Sequence, residues 1–307
     1  MERSELYRLA QAETWAIWPN WLSACLANLQ TERARTLPAD SAESIVQAVS
    51  KPGPKSGRVV RVEMIGSISR RESMWPELFG GVTVERLLRT LRDVRADESI
   101  GTVLLEMDSP GGTVSGISEV AAEVRALRDG KHVVALANNL MASAAYWIAS
   151  QADEIIATPD ALVGSVGVFV MHEDYSAMNE RMGLKVNYIT AGKYKAEANP
   201  DQPLTDEARA HLQSIVDGAY DLFVSDVAKG RGVPTSTVKA DYGEGRVLTA
   251  KEAKAAGLID RVASVEETLR RLNGVRAEEE ILPQAAMMII SNSLTARRRR
   301  LELLKKI

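Results

Sequence analysis

The sequence of residues 104–112 is LLEMDSPGG, which runs from an apolar stretch into a Gly-Gly turn. The apolar stretch begins at residue 100 and is nearly continuous, as expected for a strand that is covered on both faces. Glycine reaches backbone conformations that other residues avoid, so Gly111 and Gly112 can form a turn with exposed N–H groups. The segment therefore predicts a buried strand followed directly by a turn that can donate hydrogen bonds.

A second segment, NLMASAAYW at residues 139–147, changes from a strand end into a helix of small residues that carries Ser143. A serine in the first turn of a helix lies near unpaired N–H groups and the positive end of the helix dipole. Ser143 is therefore a candidate nucleophile, and the two segments together could form an oxyanion site beside it. The alternative is a small residue packed in an alanine-rich helix, and the segment alone does not exclude it.

Strands and helices alternate through the middle of the chain. Apolar or alternating stretches predict further strands at residues 59–65, 132–137, 154–157, 166–171 and 186–190. Apolar residues at helical spacing predict helices at residues 82–96, 114–128, 143–151 and 205–229. Strands that alternate with helices favour an α/β fold with a mostly parallel sheet built from right-handed crossovers.

Composition divides the chain into three parts. Residues 1–57 form a predicted helical N-terminal extension and linker, residues 58–273 an α/β domain, and residues 274–307 a charged C-terminal tail. The extension contains the apolar run Trp15–Leu26, which we interpret as an amphipathic helix with three tryptophans. The tail contains four consecutive arginines at residues 297–300. We interpret them as a solvated helix end, with contact to an acidic partner or nucleic acid as the alternative.

Composition also limits the partners and cofactors. The formal net charge of the 307 residues is −3, so no nucleic acid partner is required. The tryptophan run is shorter than the roughly 20 apolar residues that span a bilayer, and residues 1–13 do not form a signal peptide. We therefore expect no membrane anchor and a cytoplasmic protein. Cys25 is the only cysteine and the three histidines lack metal-ligand spacing, so we expect no metal and no cofactor.

A serine nucleophile needs a base, and none of the histidines is a convincing one. The alternative is a lysine in residues 190–200, TAGKYKAEANP, which follow a predicted strand. A lysine ordinarily has a pKa of about 10.4, so a base near neutral pH needs a pKa lower by roughly 2–3 units, which costs about 3–4 kcal/mol. Ser165, between glycines, could supply a hydroxyl that holds the amine. A surface lysine pair and a loop serine remain the alternatives.

Four motifs in this order and spacing resemble the signal peptide peptidase A family of serine proteases. They are DSPGG at residues 108–112, MASAAY at 141–146, VGSVG at 163–167 and AGKYK at 191–195. Each motif is weak alone, but together they form a strong signal. The resemblance extends from about residue 59 to 270 and includes the KGRGV segment at residues 229–233.

The resemblance implies a fold like that of the crotonase and caseinolytic protease group, with repeated βα units, and a Ser/Lys dyad. By position, Ser143 matches the nucleophile, Lys195 rather than Lys193 the general base, and Ser165 the serine that orients the lysine. The glycine turn at Gly111 and Gly112, with the N–H of Ala144, matches the oxyanion hole. Members of this fold group form rings or domes, so we expect self-association into a higher oligomer.

The single catalytic unit and the tryptophan-containing leader resemble the soluble phage and prophage branch, which processes head scaffold and capsid proteins during prohead maturation. The implied partner is a head scaffold or capsid protein, and the implied location is the host cytoplasm or the prohead interior. A signal-peptide or general protein-degrading peptidase of the same family is the first alternative. A crotonase-like acyl-CoA enzyme and a non-catalytic assembly scaffold are the alternatives from other classes.

Overall fold

The computed structural model describes residues 13–30, 46–48, 57–70 and 81–273. The strands in these ranges are β1 (Thr14–Ile17), β2 (Val46–Ala48), β3 (Arg58–Ile65), β4 (Ser67–Ser69), β5 (Gly81–Thr83), β6 (Ile100–Ser109), β7 (Gly111–Thr113), β8 (His132–Ala142), β9 (Glu154–Ala157), β10 (Leu162–Gly164), β11 (Phe169–Val170), β12 (Val247–Thr249) and β13 (Arg261–Val262). The helices are α1 (Pro19–Gln30), α2 (Val84–Ala96), α3 (Ile117–Leu127), α4 (Ala144–Ala149), α5 (Ser176–Arg181), α6 (Asp206–Arg231), α7 (Thr235–Asp241), α8 (Ala250–Ala255) and α9 (Val265–Leu272).

The larger sheet has the strand order β12-β10-β8-β6-β3-β2, with β9 paired to both β8 and β13. The pairings among β3, β6, β8, β9, β10 and β13 are parallel, whereas β2 and β12 pair antiparallel at the two edges. The predicted α/β class with a mostly parallel sheet is therefore confirmed.

Both faces of this sheet are covered. On one face, Leu105 of β6 belongs to the main core with Leu87 and Leu91 of α2. On the other face, Leu104 packs in a smaller cluster that Leu269 of α9 partly covers. Successive residues of a strand point to opposite faces, so the continuous apolar run of β6 follows from burial on both sides.

The smaller sheet has the order β11-β1-β7-β4-β5, and the predicted glycine turn forms its central strand β7. Strand β1 pairs antiparallel with β7 on one side and with β11 on the other. Strand β4 pairs with the opposite edge of β7. The two sheets thus meet where β6 leads through Pro110 into β7.

The structure differs from the predictions at two places. Residues 14–17 form a strand, and the helix predicted over Trp15–Leu26 begins only at Pro19. Proline favours the first turn of a helix and an extended residue before it, which separates the two elements. Residues 186–190, predicted as a strand, are exposed and without regular structure, and none of the strands in the described ranges pairs with them.

The chain divides into two compact units, Met1–Asn273 and Gly274–Ile307. The charged tail and most of the linker lie outside the described residues. The division at residue 57 stays a prediction, although β1 and β2, which precede it, pair with strands that follow it. Within the described ranges, no helix has both the length and the apolar composition to cross a bilayer.

Candidate active site

Ser143 lies at the sharp turn between β8 and α4. Its backbone has φ 56° and ψ −116°, a conformation outside the left-handed helical region that residues other than glycine rarely adopt. Its N–H donates to the carbonyl of Gly164 at 2.7 Å, and its own carbonyl accepts from Trp147 N at 2.9 Å. The side chain is fully buried, and Oγ donates a long bond of 3.4 Å to the carbonyl of Gly167. Local strain at a buried serine is typical of a functional position.

Helix α4 is held rigidly by its large side chains. The ring of Trp147 stacks on Phe223 with centroids 4.5 Å apart, and its Nε1 donates to Asp226 Oδ2 at 3.0 Å. The hydroxyl of Tyr146 donates to the carbonyl of Leu258 at 2.9 Å. Because all six residues of α4 are buried, the helix start that carries Ser143 has little freedom to move.

The glycine turn is fixed by Ser109. The Ser109 hydroxyl donates to the carbonyl of Gly66 at 2.6 Å and accepts the N–H of Gly111 at 3.2 Å. Gly111 has φ 97°, and a Cβ there would lie 2.3 Å from the carbonyl oxygen of Ala16 and 2.9 Å from the backbone nitrogen of Ala144. Only glycine fits this position, because a side chain would collide with backbone on two sides.

The same geometry places two candidate oxyanion donors beside each other. The N–H of Gly111 is already bonded to Ser109, so the candidate donor from the turn is Gly112, which is paired with Ala16 of β1 in this conformation. Ala144 is the first residue of α4, so its N–H has no acceptor within the helix. The proximity of Gly111 to Ala144 N brings the turn and the helix start to one small space next to Ser143.

Ser165 adjoins this site. It follows Gly164, whose carbonyl holds the Ser143 N–H, and strand β10 pairs with β8 in the register Gly164 to Ala142. Ser165 is buried, has φ 53°, and donates its N–H to the carbonyl of Arg246 at 2.7 Å. A second non-glycine residue with positive φ at one site indicates that the fold constrains this loop closely.

Lys195 is not brought to Ser143. It lies on the segment of residues 182–199, which we call the Lys195 segment, and its side chain is exposed. Among the described residues, no hydrogen bond or ion pair joins the Lys195 amine to Ser143 or Ser165. Lys193 is engaged elsewhere, since its Nζ donates to the Tyr194 hydroxyl at 2.8 Å and to Glu207 at 3.1 Å. The bonds to Tyr194 and Glu207 raise the pKa of Lys193, which favours its charged form and argues against a base role.

The histidines lie apart from the site. His172 Nε2 is 3.3 Å from the carbonyl of Asn199, and the half-exposed rings of His132 and His211 face Asp153 and Glu197, each at 3.7 Å. Across residues 13–30, 46–48, 57–70 and 81–273, no cluster of three or more histidine, cysteine, aspartate or glutamate residues is placed to hold a metal ion.

Two features of the site were missed by the sequence analysis. Ser109, directly before Pro110 in the glycine turn, fixes the turn, and its position there is a signal that could have found it. Strand β1 places Ala16 opposite Gly112. The β-forming residues Thr14–Ile17 ahead of Pro19 were a signal for this strand, but the three tryptophans of the region fit a helix equally well.

Comparison with known proteins identifies the family. The family model described as Peptidase family S49 matches residues 125–277. A putative protease of Methanocaldococcus jannaschii is 35% identical over 186 residues, which are 60% of this chain and 59% of that protein. Capsid assembly protease C of Escherichia phage lambda is 33% identical over 198 residues, 64% of this chain and 44% of that protein. A ClpP1 mutant from Listeria monocytogenes superposes with a TM-score of 0.44 at 12% identity, covering 68% of this chain and 94% of that one.

The chain spans about half the length of the archaeal and lambda proteins it matches. A putative protease of Synechocystis is 30% identical over 210 residues, which are 68% of this chain and 71% of that protein. The family model spans both Ser143 and Lys195. This relative and the family model together show that the chain belongs to peptidase family S49.

Proposed function

We propose that this chain is a serine endopeptidase with a Ser/Lys dyad. The observation that carries the proposal is the strained, buried turn at Ser143 with two backbone donors beside it. The candidate oxyanion donors are the N–H groups of Gly112 and Ala144, because the glycine turn lies against the backbone nitrogen of Ala144. Membership of peptidase family S49 supports hydrolysis of a peptide bond as the reaction at this site.

In the proposed reaction, Lys195 takes the proton of the Ser143 hydroxyl, and Oγ attacks the peptide carbonyl carbon. The developing oxyanion accepts hydrogen bonds from Gly112 and Ala144. The tetrahedral intermediate collapses to an acyl-enzyme, and the leaving amine receives the proton from Lys195. A water molecule that Lys195 deprotonates then hydrolyses the ester and frees Ser143. Ser165 orients the lysine amine.

The dyad of this proposal forms only when the Lys195 segment moves or docks. Lys195 is exposed while Ser143 is fully buried, so the two side chains cannot exchange a proton in the conformation of the single chain. The Lys195 segment exposes several large apolar side chains, and Ile189 is fully exposed. Exposed apolar patches favour contact with another protein surface. We propose that self-association covers this segment and brings a Lys195 amine to Ser143.

The proposed substrate is a phage head scaffold or capsid protein. Support comes from the lambda relative, whose name is capsid assembly protease C. A cytoplasmic or prohead location belongs to the same proposal. Mass spectrometry of the purified protein, alone and mixed with phage head scaffold and capsid proteins, tests the proposed substrate. We expect cuts at defined sites in a scaffold or capsid protein, and cleavage of denatured casein alone would instead support a general degrading peptidase.

The dyad is tested by substitution. We expect Ser143→Ala and Lys195→Ala each to lower casein cleavage by at least about 10³-fold, because each removes one half of a unit that acts together. Lys193→Ala is the matched control, since it removes a lysine two residues away and leaves the base in place. Activity close to that of the unmodified protein in either dyad variant, with an unchanged melting temperature, would rule out the dyad.

A further inference from the structure

Strand β1 lies in the cleft between the glycine turn and the loop that follows Ser165. It pairs antiparallel with β7 in the register Trp15 to Thr113, Ala16 to Gly112 and Ile17 to Gly111. On its other side it pairs antiparallel with β11 through Thr14 and Trp15. A four-residue strand thus passes between the two chain segments that flank Ser143.

The backbone of β1 meets the candidate oxyanion donors. Val114 N donates to the carbonyl of Thr14 at 3.0 Å, and Trp18 N donates to the carbonyl of Pro110 at 2.7 Å. Hydrogen-bonded pairs alternate along an antiparallel ladder, so the pair midway between these two bonds, Ala16 and Gly112, is also a hydrogen-bonded one. The N–H of Gly112 is therefore directed to the Ala16 carbonyl.

The position of the Ala16 carbonyl agrees with this. A Cβ added at Gly111 would lie 2.3 Å from that oxygen and 2.9 Å from Ala144 N, so both border the same small space. Ala16 is fully buried and belongs to the main core, whereas Trp15 and Ile17 line a small pocket together with Ile68 and Thr113. A strand alternates its side chains in this way.

Strand β1 occupies the edge of β7 at which an extended polypeptide substrate would bind. An extended peptide binds a protein by adding a strand to an exposed sheet edge, where main-chain hydrogen bonds hold it. One edge of β7 is taken by β4 and the other by β1, so no free edge of β7 is left. A second polypeptide cannot reach the N–H of Gly112 while Ala16 accepts it.

We propose that Thr14–Ile17 is a built-in occupant of the peptide-binding cleft, and that a polypeptide substrate binds only after this strand has left β7 and β11. The proposal rests on the proposed function, which makes the space beside Ser143 a binding site for peptides. Ser143 is fully buried in this conformation, which has β1 in the cleft, and this agrees with the proposal. Activation then requires a shift from the occupied to the open conformation.

The test weakens the pairing of β1 with its neighbouring strands and measures both peptide binding and casein cleavage. Ala16→Pro removes an N–H from a strand that is paired on both sides, which disfavours its pairing. Asn20→Ala, at an exposed position of α1, is the matched control. The binding probe is a fluorescent synthetic peptide with the sequence of residues 13–20, ETWAIWPN, added to proteins that also carry Ser143→Ala so that it is not cleaved.

We expect the peptide to bind the Ala16→Pro protein at least about tenfold more tightly than the Asn20→Ala protein or the protein with Ser143→Ala alone. With Ser143 intact, we expect Ala16→Pro to raise casein cleavage by a similar factor. Hydrogen exchange at the Val114 amide, which bonds to Thr14, should become faster in Ala16→Pro and verifies that the strand has been loosened.

Equal peptide affinity in the three proteins, with faster exchange at Val114, would overturn the proposal. If Ala16→Pro unfolds the protein, Ile17→Ser is the second variant. Its peptide affinity and the exchange rate of its Val114 amide are then interpreted in the same way. Tighter peptide binding without any casein cleavage, even in the protein with Ser143 intact, would support the built-in occupant and contradict the peptidase function. Different measurements would therefore contradict the occupied cleft and the peptidase function.

Discussion

At the scale of single residues, the site depends on backbone geometry more than on side-chain partners. Ser143 and Ser165 both have positive φ angles of about the same size, 56° and 53°. Such conformations cost on the order of 1–3 kcal/mol each, and they persist because the surrounding fold determines them. The buried helix α4 and the pairing of β10 with β8 supply that constraint.

Ser109 is a positioning residue for the glycine turn in this account. It ties Gly111 to Gly66 and so fixes where the N–H of Gly112 points. We expect Ser109→Ala to lower kcat for a peptide substrate by about tenfold with little change in KM, less than the loss from deleting an oxyanion donor itself. Steady-state kinetics on the purified protein measures both constants.

Ser150→Ala is the control for Ser109→Ala. Ser150 is also fully buried and its hydroxyl donates to the carbonyl of Trp147, but it lies at the far end of α4. If the two variants lose the same kcat and the same melting temperature, Ser109 has only a structural role.

At the scale of secondary-structure elements, much of the larger sheet could be predicted from the sequence. Strands β6, β8 and β9 contain the apolar runs that a doubly covered sheet requires, and β3 alternates between buried apolar and partly exposed residues. The strand β1 could not be predicted in the same way, because its four residues are stabilised by partners about a hundred residues later in the chain. Residues 186–190 were predicted as a strand, yet no strand in the described part of the chain pairs with them.

The functional residues also differ in how far the sequence alone could predict their positions. Ser143, Ala144 and the two glycines are close together because adjoining elements carry them, and local motifs were enough to find them. Lys195 was assigned through the resemblance, and its place beside Ser143 stays a prediction. Residues 182–195 of its segment are exposed, so no pattern of buried residues could show from the sequence how the lysine reaches the site.

The end of α6 is joined to the sheet by a charged pair. Arg231 donates to Asp260 at 2.9 and 2.7 Å, and Asp260 also accepts the N–H of Ile155 at 2.8 Å. Burial of Asp260 raises its pKa, but the bonds from Arg231 and Ile155 outweigh burial and hold the pKa below its usual range. A lowered carboxylate pKa contributes stability above the unfolded-state pKa, and this contribution is lost as the pH falls through the folded-state value.

We therefore expect Asp260→Asn to destabilise the protein at pH 7 by about 1–2 kcal/mol, between the ranges for exposed and buried pairs. The loss should shrink as the pH is lowered from about 5 towards about 2, because the unfolded-state carboxylate is protonated first and the native carboxylate, with its lowered pKa, only at lower pH. Urea denaturation at several pH values measures this dependence. A difference that does not change with pH would contradict the role of the carboxylate charge. Glu266→Gln, at an exposed pair with Arg270, is the control and should change stability by less than about 0.5 kcal/mol.

At the scale of the whole molecule, the Lys195 segment presents an exposed apolar surface. Its exposed apolar side chains are Met182, Leu184, Val186, Tyr188, Ile189 and Tyr194. A monomeric protein rarely exposes so many apolar residues in one stretch, so we expect the segment to be covered by another copy of the chain.

We expect light scattering to show a higher oligomer. The Ile189→Ser substitution should lower the measured mass, with a parallel loss of peptidase activity. Asn187→Ser, two residues away and also exposed, should change neither the mass nor the activity. A monomer with full activity would contradict the proposed coupling between assembly and the dyad.

The central claim is that Ser143 is a nucleophile activated by Lys195. Its most direct test is reaction of the native protein with a fluorophosphonate, followed by intact-mass measurement and peptide mapping. We expect one adduct per chain, located on Ser143, absent from Ser143→Ala and formed far more slowly in Lys195→Ala than in Lys193→Ala. Labelling of a different serine, or equal labelling rates in the two lysine variants, would contradict it.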